Sequence, residues 1–261
     1  MIQVSAGDQH ACGLSEFDRL AYCWGSGASG RIGNGGTNSS ATPVPVVGSY
    51  TWATISAGAS HTCAVTLGGA ALCWGNNFYG QLGTGSTIAS YTPTAVSGGV
   101  TWDSIACGRS HTCGIVVGGT AYCFGRNNLG QLGIGETAYY ASVSTPQPVL
   151  SNAAFTQLAA SSAASTDQYA GYHVCGLTTT GDIYCWGNAN QGQLGTNAAA
   201  YVCSTVSCNP IPALVAGGYT WTAVSTGGLH TCAVSSSGAA FCWGAFRCHL
   251  RIVENACRVD S

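Results

Sequence analysis

Five times along this chain a His stands two residues before a Cys, and a second Cys follows after a nine- or ten-residue gap, in Cys-Trp-Gly or Cys-Phe-Gly. The copies are His10, Cys12 and Cys23; His61, Cys63 and Cys73; His111, Cys113 and Cys123; His173, Cys175 and Cys185; and His230, Cys232 and Cys242. Cys and His together suggest three chemistries: a nucleophile with its base, a metal site, or covalent cross-links. The nucleophile reading is weak, because five equivalent copies of one dyad make no mechanistic sense. Zinc is disfavoured because His-x-Cys lacks the usual short Cys-x2–4-Cys pair and the pattern offers no fourth ligand. A ring of five His could sense pH. The plainer reading makes each a structural His, repeated because its unit is repeated. No Gly-x-Ser-x-Gly elbow, phosphate loop or His-Glu-x-x-His segment is present, and the nine carboxylates are scattered singly. The chain therefore reads as a non-enzyme without a cofactor.

The elements that hold these residues are short strands. The segment from Cys63 to Cys73 turns at Gly68-Gly69, two residues that tolerate positive φ. This predicts a hairpin with Cys63 opposite Cys73. Alternation places His61, Cys63 and Val65 on one face and Thr62 and Ala64 on the other. Opposed residues of an antiparallel pair lie close enough for a disulfide to form with slight adjustment. Closing such a loop stabilises by roughly 2–3 kcal/mol. Five hairpin disulfides are thus the preferred reading, with reduced core thiols and zinc as the alternatives. Cys203 and Cys208 form a plausible local bridge, leaving Cys107, Cys248 and Cys257. Fifteen Cys is an odd number, so at least one thiol stays free or pairs with another chain.

The remainder of the unit repeats as well, with His-to-His steps of 51, 50, 62 and 57 residues. A β-rich stretch such as Thr51–Gly58 precedes the His, and an Asn-rich turn closing on Gly80-Gln81-Leu82-Gly83 or its equivalents follows the Trp-Gly. No helical period occurs anywhere, and one 50-residue unit with two apolar faces cannot bury both alone. Radial stacking can, which predicts an all-β propeller. The run Gly-x-x-His-Thr-Cys-Ala-Val, then Cys-Trp-Gly-Asn-Asn-x-x-Gly-Gln-Leu-Gly, resembles the regulator of chromosome condensation repeat over residues 1–244. That resemblance implies seven-bladed propellers, of which about five repeats are present here (about 1–48, 49–98, 99–152, 153–217 and a partial 218–244). A five-unit arc, an incomplete ring, is the expectation. Residues 245–261 depart from the motif as a divergent C-terminal tail that carries three of the seven Arg.

Composition limits the function. There is no Lys, only 6% of the chain is charged, and the formal net charge is −2, so a polybasic nucleic-acid binder is excluded. No apolar run reaches the 18 residues or so of a membrane span. Cys density points to an oxidising, extracellular or cell-surface setting. Met1-Ile2-Gln3-Val4 begins no signal peptide, and the expected reconciliation is that the sequence is a fragment. Asn38-Ser39-Ser40 fits a glycan acceptor. Positions that differ between repeats are freer to meet a partner than those that packing fixes. They nominate Phe78, Tyr79, Arg126 and Leu129 in the Asn-rich turns, Arg109 and Tyr172 just before the His, and the insertion from Ala159 to Tyr172, which carries Tyr169. The resulting expectation is a non-catalytic module binding a protein or glycan. The alternative, implied by the resemblance, is nucleotide exchange on a small GTPase with chromatin binding.

Overall fold

A computed structural model of the chain describes residues 1–136, 142–162, 169–198, 200–203 and 205–245, together with the backbone of two strands at 252–253 and 256–258. Five antiparallel sheets follow one another along the chain. Blade 1 holds β1 (Gln3–Ala6), β2 (His10–Leu14), β3 (Ala21–Gly25) and β4 (Ser40–Pro45). Blade 2 holds β5 (Trp52–Ala57), β6 (His61–Thr66), β7 (Ala71–Gly75) and β8 (Ser90–Ala95). Blade 3 holds β9 (Trp102–Cys107), β10 (His111–Val116), β11 (Ala121–Arg126) and β12 (Ser142–Pro148). Blade 4 has five strands, β13 (Phe155–Ala160), β14 (His173–Thr178), β15 (Ile183–Asn188), β16 (Tyr201–Cys203) and β17 (Val206–Leu214). Blade 5 has β18 (Trp221–Thr226), β19 (His230–Ser235), β20 (Ala240–Gly244), β21 (Ile252–Val253) and β22 (Ala256–Arg258). Blades 1 to 3 pair their strands in chain order, and blades 4 and 5 append one hairpin strand at the outer edge. The innermost strands β1, β5, β9, β13 and β18 line one central channel, which makes the molecule an all-β, five-bladed propeller.

The motif residues explain the register. Each pair of motif Cys stands directly opposed, Cys63 against Cys73 for example. Their Cα atoms are 4.1 Å apart, and Sγ is bonded to Sγ. The same bridge joins Cys12 to Cys23, Cys113 to Cys123, Cys175 to Cys185 and Cys232 to Cys242. In the second hairpin Gly69 alone takes positive φ, at 80°, whereas Gly118 and Gly119 of the third both do. One glycine in αL is enough for the tight turn closed by Gly69 N–H to Thr66 O.

The core lies between blades rather than within them. Cys12, Cys23, Leu14 and Ile32 of blade 1 pack on Trp52, Ile55, Leu72 and Trp74 of blade 2. Cys63, Cys73 and Leu82 meet Trp102, Ile105 and Phe124 in the same way. At about 25 cal/mol per Å² of apolar surface, buried Trp rings such as Trp74 and Trp186 dominate these layers. The layers differ at the two ends. Trp24 of blade 1 and Cys232 of blade 5 are only half buried, and no described hydrogen bond joins blade 5 to blade 1.

Candidate partner-binding site and the lock between blades

Each of the four described seams between consecutive blades is closed by a variant of one hydrogen-bond arrangement. The Gln of each Gly-Gln-Leu-Gly turn offers its backbone carbonyl to the following blade. Gln193 O accepts from Thr231 Oγ1 at 2.8 Å and from Trp243 Nε1 at 3.0 Å. Arg31, the counterpart in the first copy, accepts from Thr62 Oγ1 and Trp74 Nε1. Two seams carry half the set. Gln81 O receives Thr112 because Phe124 has no N–H, and Gln131 O receives Trp186 because Val174 has no hydroxyl. The second Gly of the turn lies beneath the same aromatic ring. A Cβ on Gly83 would sit 2.7 Å from the Phe124 ring, and its φ is +68°.

The repeated His belongs to this lock. Nε2 of His10, His61 and His173 lies 2.7 to 3.0 Å from Oγ1 of Thr62, Thr112 and Thr231. Those hydroxyls already donate to carbonyls, so Nε2–H is the donor and Nδ1 carries the free electron pair. Burial pushes the pKa of His61, His111 and His173 down to about 3, and burial together with Arg31 lowers that of His10 to about 4. The rings are neutral at physiological pH and serve as fixed struts. His230 is half buried.

The loops at the His end of the blades carry the diverging positions, and several of them meet. The Arg126 guanidinium is 4.7 Å from the Tyr79 ring centre and 5.0 Å from that of Tyr172. Its Nη1 donates to the Tyr172 hydroxyl at 2.7 Å. The Arg109 guanidinium stands 5.4 Å from the Tyr172 ring centre and donates to Ala170 O. Phe78 meets Tyr79 edge-on at 4.9 Å and is 72% exposed. Blades 2, 3 and 4 thus contribute to one aromatic and guanidinium cluster. Each cation–π contact is worth about 0.5–2 kcal/mol, depending on desolvation.

Two of the nominated residues sit underneath. Leu129 has no exposed surface, Tyr172 is 3% exposed, and both pack with Cys203, Val206 and Cys208. They support the patch and cannot be its contact surface; what diverged at Leu129 is packing. Cys203 is bonded to Cys208, which ties the β16–β17 hairpin against this support.

Residues that sequence reasoning passed over hold the turns. Asn77 Nδ2 donates to Ser86 O and Ile88 O, while its Oδ1 accepts from Leu82 N–H. Gln81 Oε1 accepts from Tyr79 N–H, and its Nε2 donates to Asn76 Oδ1. Asn127 and Gln131 repeat this in the next turn. The signal was the repetition of Asn and Gln itself, since a buried amide persists where it satisfies backbone groups.

Of the Cys left outside these bridges in the sequence, Cys107 is a buried thiol whose pKa burial pushes up to about 12. Cys248 and the Cys257 side chain lie outside the described residues, as do residues 163–168 of the nominated insertion. The described part of that insertion begins as the end of β13, and Ser161 Oγ donates to Gly227 O across the seam. Asn38 is exposed.

A succession of disulfide-stapled blades whose Gly-Gln-Leu-Gly turns clasp Thr or Trp of the next blade defines a repeat propeller with a loop-borne aromatic and guanidinium cluster. The family model described as "Regulator of chromosome condensation (RCC1) repeat" matches residues 20–65, 68–115, 118–166 and 180–234, and a second model of that description matches 1–31, 52–81 and 102–131. The chain belongs to this family. No curated protein sequence matches it. Prp20p from Saccharomyces cerevisiae, whose structure is described with its binding to Gsp1p and histones, superposes with a TM-score of 0.82 at 21% identity, over 100% of this chain and 63% of that one. Human WBSCR16 gives 0.79 at 18% identity, over 98% and 65%. The ectodomain of the Physcomitrella patens receptor kinase CR4 gives 0.53 at 22% identity, over 93% and 50%. The chain therefore spans about half to two thirds of these proteins, and the likeness is one of fold.

Proposed function

We propose that this chain is a non-catalytic protein-interaction module of an extracellular or cell-surface protein, which binds its partner through the loop face around Phe78, Tyr79, Arg109 and Arg126. The observation that carries the reading is the convergence of three blades on one cluster in which a 72% exposed Phe78 stands beside Tyr79 and Arg126. Aromatic and Arg side chains held rigid by their neighbours are the usual energetic centres of interfaces. The repeated His and Cys, the residues best suited to chemistry, are engaged in struts and bridges, which supports a role without catalysis. Six disulfides among the described residues support an oxidising compartment. No helix among them is long and apolar enough to cross a membrane.

Nucleotide exchange on a small GTPase with chromatin binding is the less favoured reading, because a chain without Lys and with bridged hairpins suits neither DNA nor a reducing nucleus. Capture of partners from a secreted fraction separates the two. Phe78→Ala is expected to weaken capture of a protein partner at least tenfold with Tm unchanged, since no seam residue is touched. Equal capture by the variant sinks the reading. Capture abolished by deglycosylating the partner shifts it to a glycan, and faster nucleotide release from a small GTPase shifts it to exchange.

A further inference from the structure

The sequence pattern lacked a fourth metal ligand, and folding supplies a third sulfur in one place. Cys107, at the end of β9 in blade 3, lies against the second hairpin. Ligating atoms of His61, Cys63 and Cys107 all fall within 4.8 Å of one another, and all three residues are buried. Cys63 Sγ is bonded to Cys73 Sγ, so a fourth donor is one bond away. At the position of Cys107 blades 2, 4 and 5 have Ala57, Ala160 and Thr226, so the hairpins of blades 1, 3 and 4 face no such thiol.

The imidazole is already prepared as a ligand. Thr112 Oγ1 donates to Gln81 O and accepts from His61 Nε2–H at 2.8 Å. His61 Nδ1 is buried with no hydrogen-bond partner. Either ring nitrogen can be the grouped atom: ligation by Nδ1 would keep the Thr112 bond as an outer support, and ligation by Nε2, whose Thr112 partner lies 3.9 Å from Cys63 Sγ, would replace that bond.

We propose that Cys63, Cys73, Cys107 and His61 form a Cys3His site for a soft divalent cation of the zinc type when the Cys63–Cys73 bridge is reduced, so that disulfide and metal are alternative staples of one hairpin. Two molecules of a thiol reductant open the bridge. The S–S bond breaks, two electrons and two protons pass to Cys63 and Cys73, and the reductant leaves as its own disulfide. The cation then replaces the thiol protons of Cys63, Cys73 and Cys107, which go to solvent, while His61 gives its electron pair and exchanges no proton. Tetrahedral coordination at about 2.3 Å to sulfur and about 2.0 Å to nitrogen puts the donors about 3.5–3.8 Å apart. His61, Cys63 and Cys107 reach this by contracting about 1 Å from their 4.8 Å limit, while Cys73 Sγ, outside that group, has to swing in once its bond to Cys63 Sγ is broken. Release of three protons makes affinity rise steeply with pH. The site also ties blade 2 to blade 3, which the disulfide does not.

Cobalt(II) is the probe. The full chain, reduced with glutathione and desalted under nitrogen, is expected to take up one cobalt(II) with the intense visible bands of a tetrahedral thiolate site, and zinc is expected to erase them. The oxidised chain is expected to show none. Cys107→Ser is expected to weaken binding at least tenfold and lose the bands, whereas Cys113→Ser, in a hairpin with no third sulfur, keeps them. The proposal is overturned if reduced wild type shows no bands, if Cys107→Ser keeps them, or if reduction removes the β-sheet circular dichroism with and without metal. None of these outcomes bears on capture through Phe78, which is measured on the oxidised chain.

Discussion

His61 reaches across a blade boundary to place Nε2 2.8 Å from Thr112 Oγ1, and that hydroxyl passes its own hydrogen to Gln81 O. Three groups from two blades thereby satisfy one another in a place without water. Thr112→Val keeps the shape and removes the middle member. It leaves His61 Nε2–H and one acceptor site of Gln81 unpaired, and Phe124 offers no N–H to compensate. An orphaned buried donor costs about 1–3 kcal/mol. Urea unfolding is expected to show a loss of that size; an unchanged midpoint would refute the lock.

The fourth blade runs the opposite experiment. Val174 stands where blades 2, 3 and 5 have Thr62, Thr112 and Thr231, and His111 Nε2 has no described partner. Val174→Thr is nearly isosteric and supplies a hydroxyl to both His111 and Gln131 O. We expect it to stabilise by about 1 kcal/mol, read as a higher Tm.

Acid should unfold this protein earlier than its few carboxylates suggest. Folded pKa values of about 3 for His61, His111 and His173 and about 4 for His10 lie below the ordinary 6.5. Between these limits the unfolded chain binds protons that the folded chain refuses. The stabilisation is whole above pH 6.5 and is lost as pH falls towards the folded values. Each ring contributes a slope of up to about 1.4 kcal/mol per pH unit. Urea midpoints should therefore drop steeply from pH 7 to pH 5, and a flat profile would contradict neutral, buried rings.

Replacing Cys113 and Cys123 together by Ala should cost about 2–3 kcal/mol, the loop entropy of a ten-residue closure. The same double change at Cys12 and Cys23 should cost a similar amount, because the bridges are equivalent. Differential scanning calorimetry of both variants checks this.

The strands, the opposed Cys and the stacking of blades were legible because period-two alternation and a fivefold motif leave few arrangements that bury both faces. The aromatic and guanidinium cluster proposed as a contact patch was legible only in part. Divergence between repeats selected Phe78, Tyr79, Arg109 and Arg126, which do converge, but it also selected Leu129, which filled a local gap in the support. Variation records freedom from the common packing rule and does not distinguish outward from inward. The Thr–His–Gln relay escaped notice because its members lie 31 and 51 residues apart. A contact between units has no local pattern. Cys107 remained an unpaired remainder for the same reason.

The lock points one way at all four described seams, with the turn carbonyl of one unit receiving Thr, Trp or both from the next. The matched repeat 20–65 straddles this seam, beginning at β3 of one blade and ending in β6 of the next. One sequence repeat therefore carries both the Arg31 carbonyl and the Thr62 hydroxyl that meets it, so inserting or removing that whole segment would move the contact as one piece.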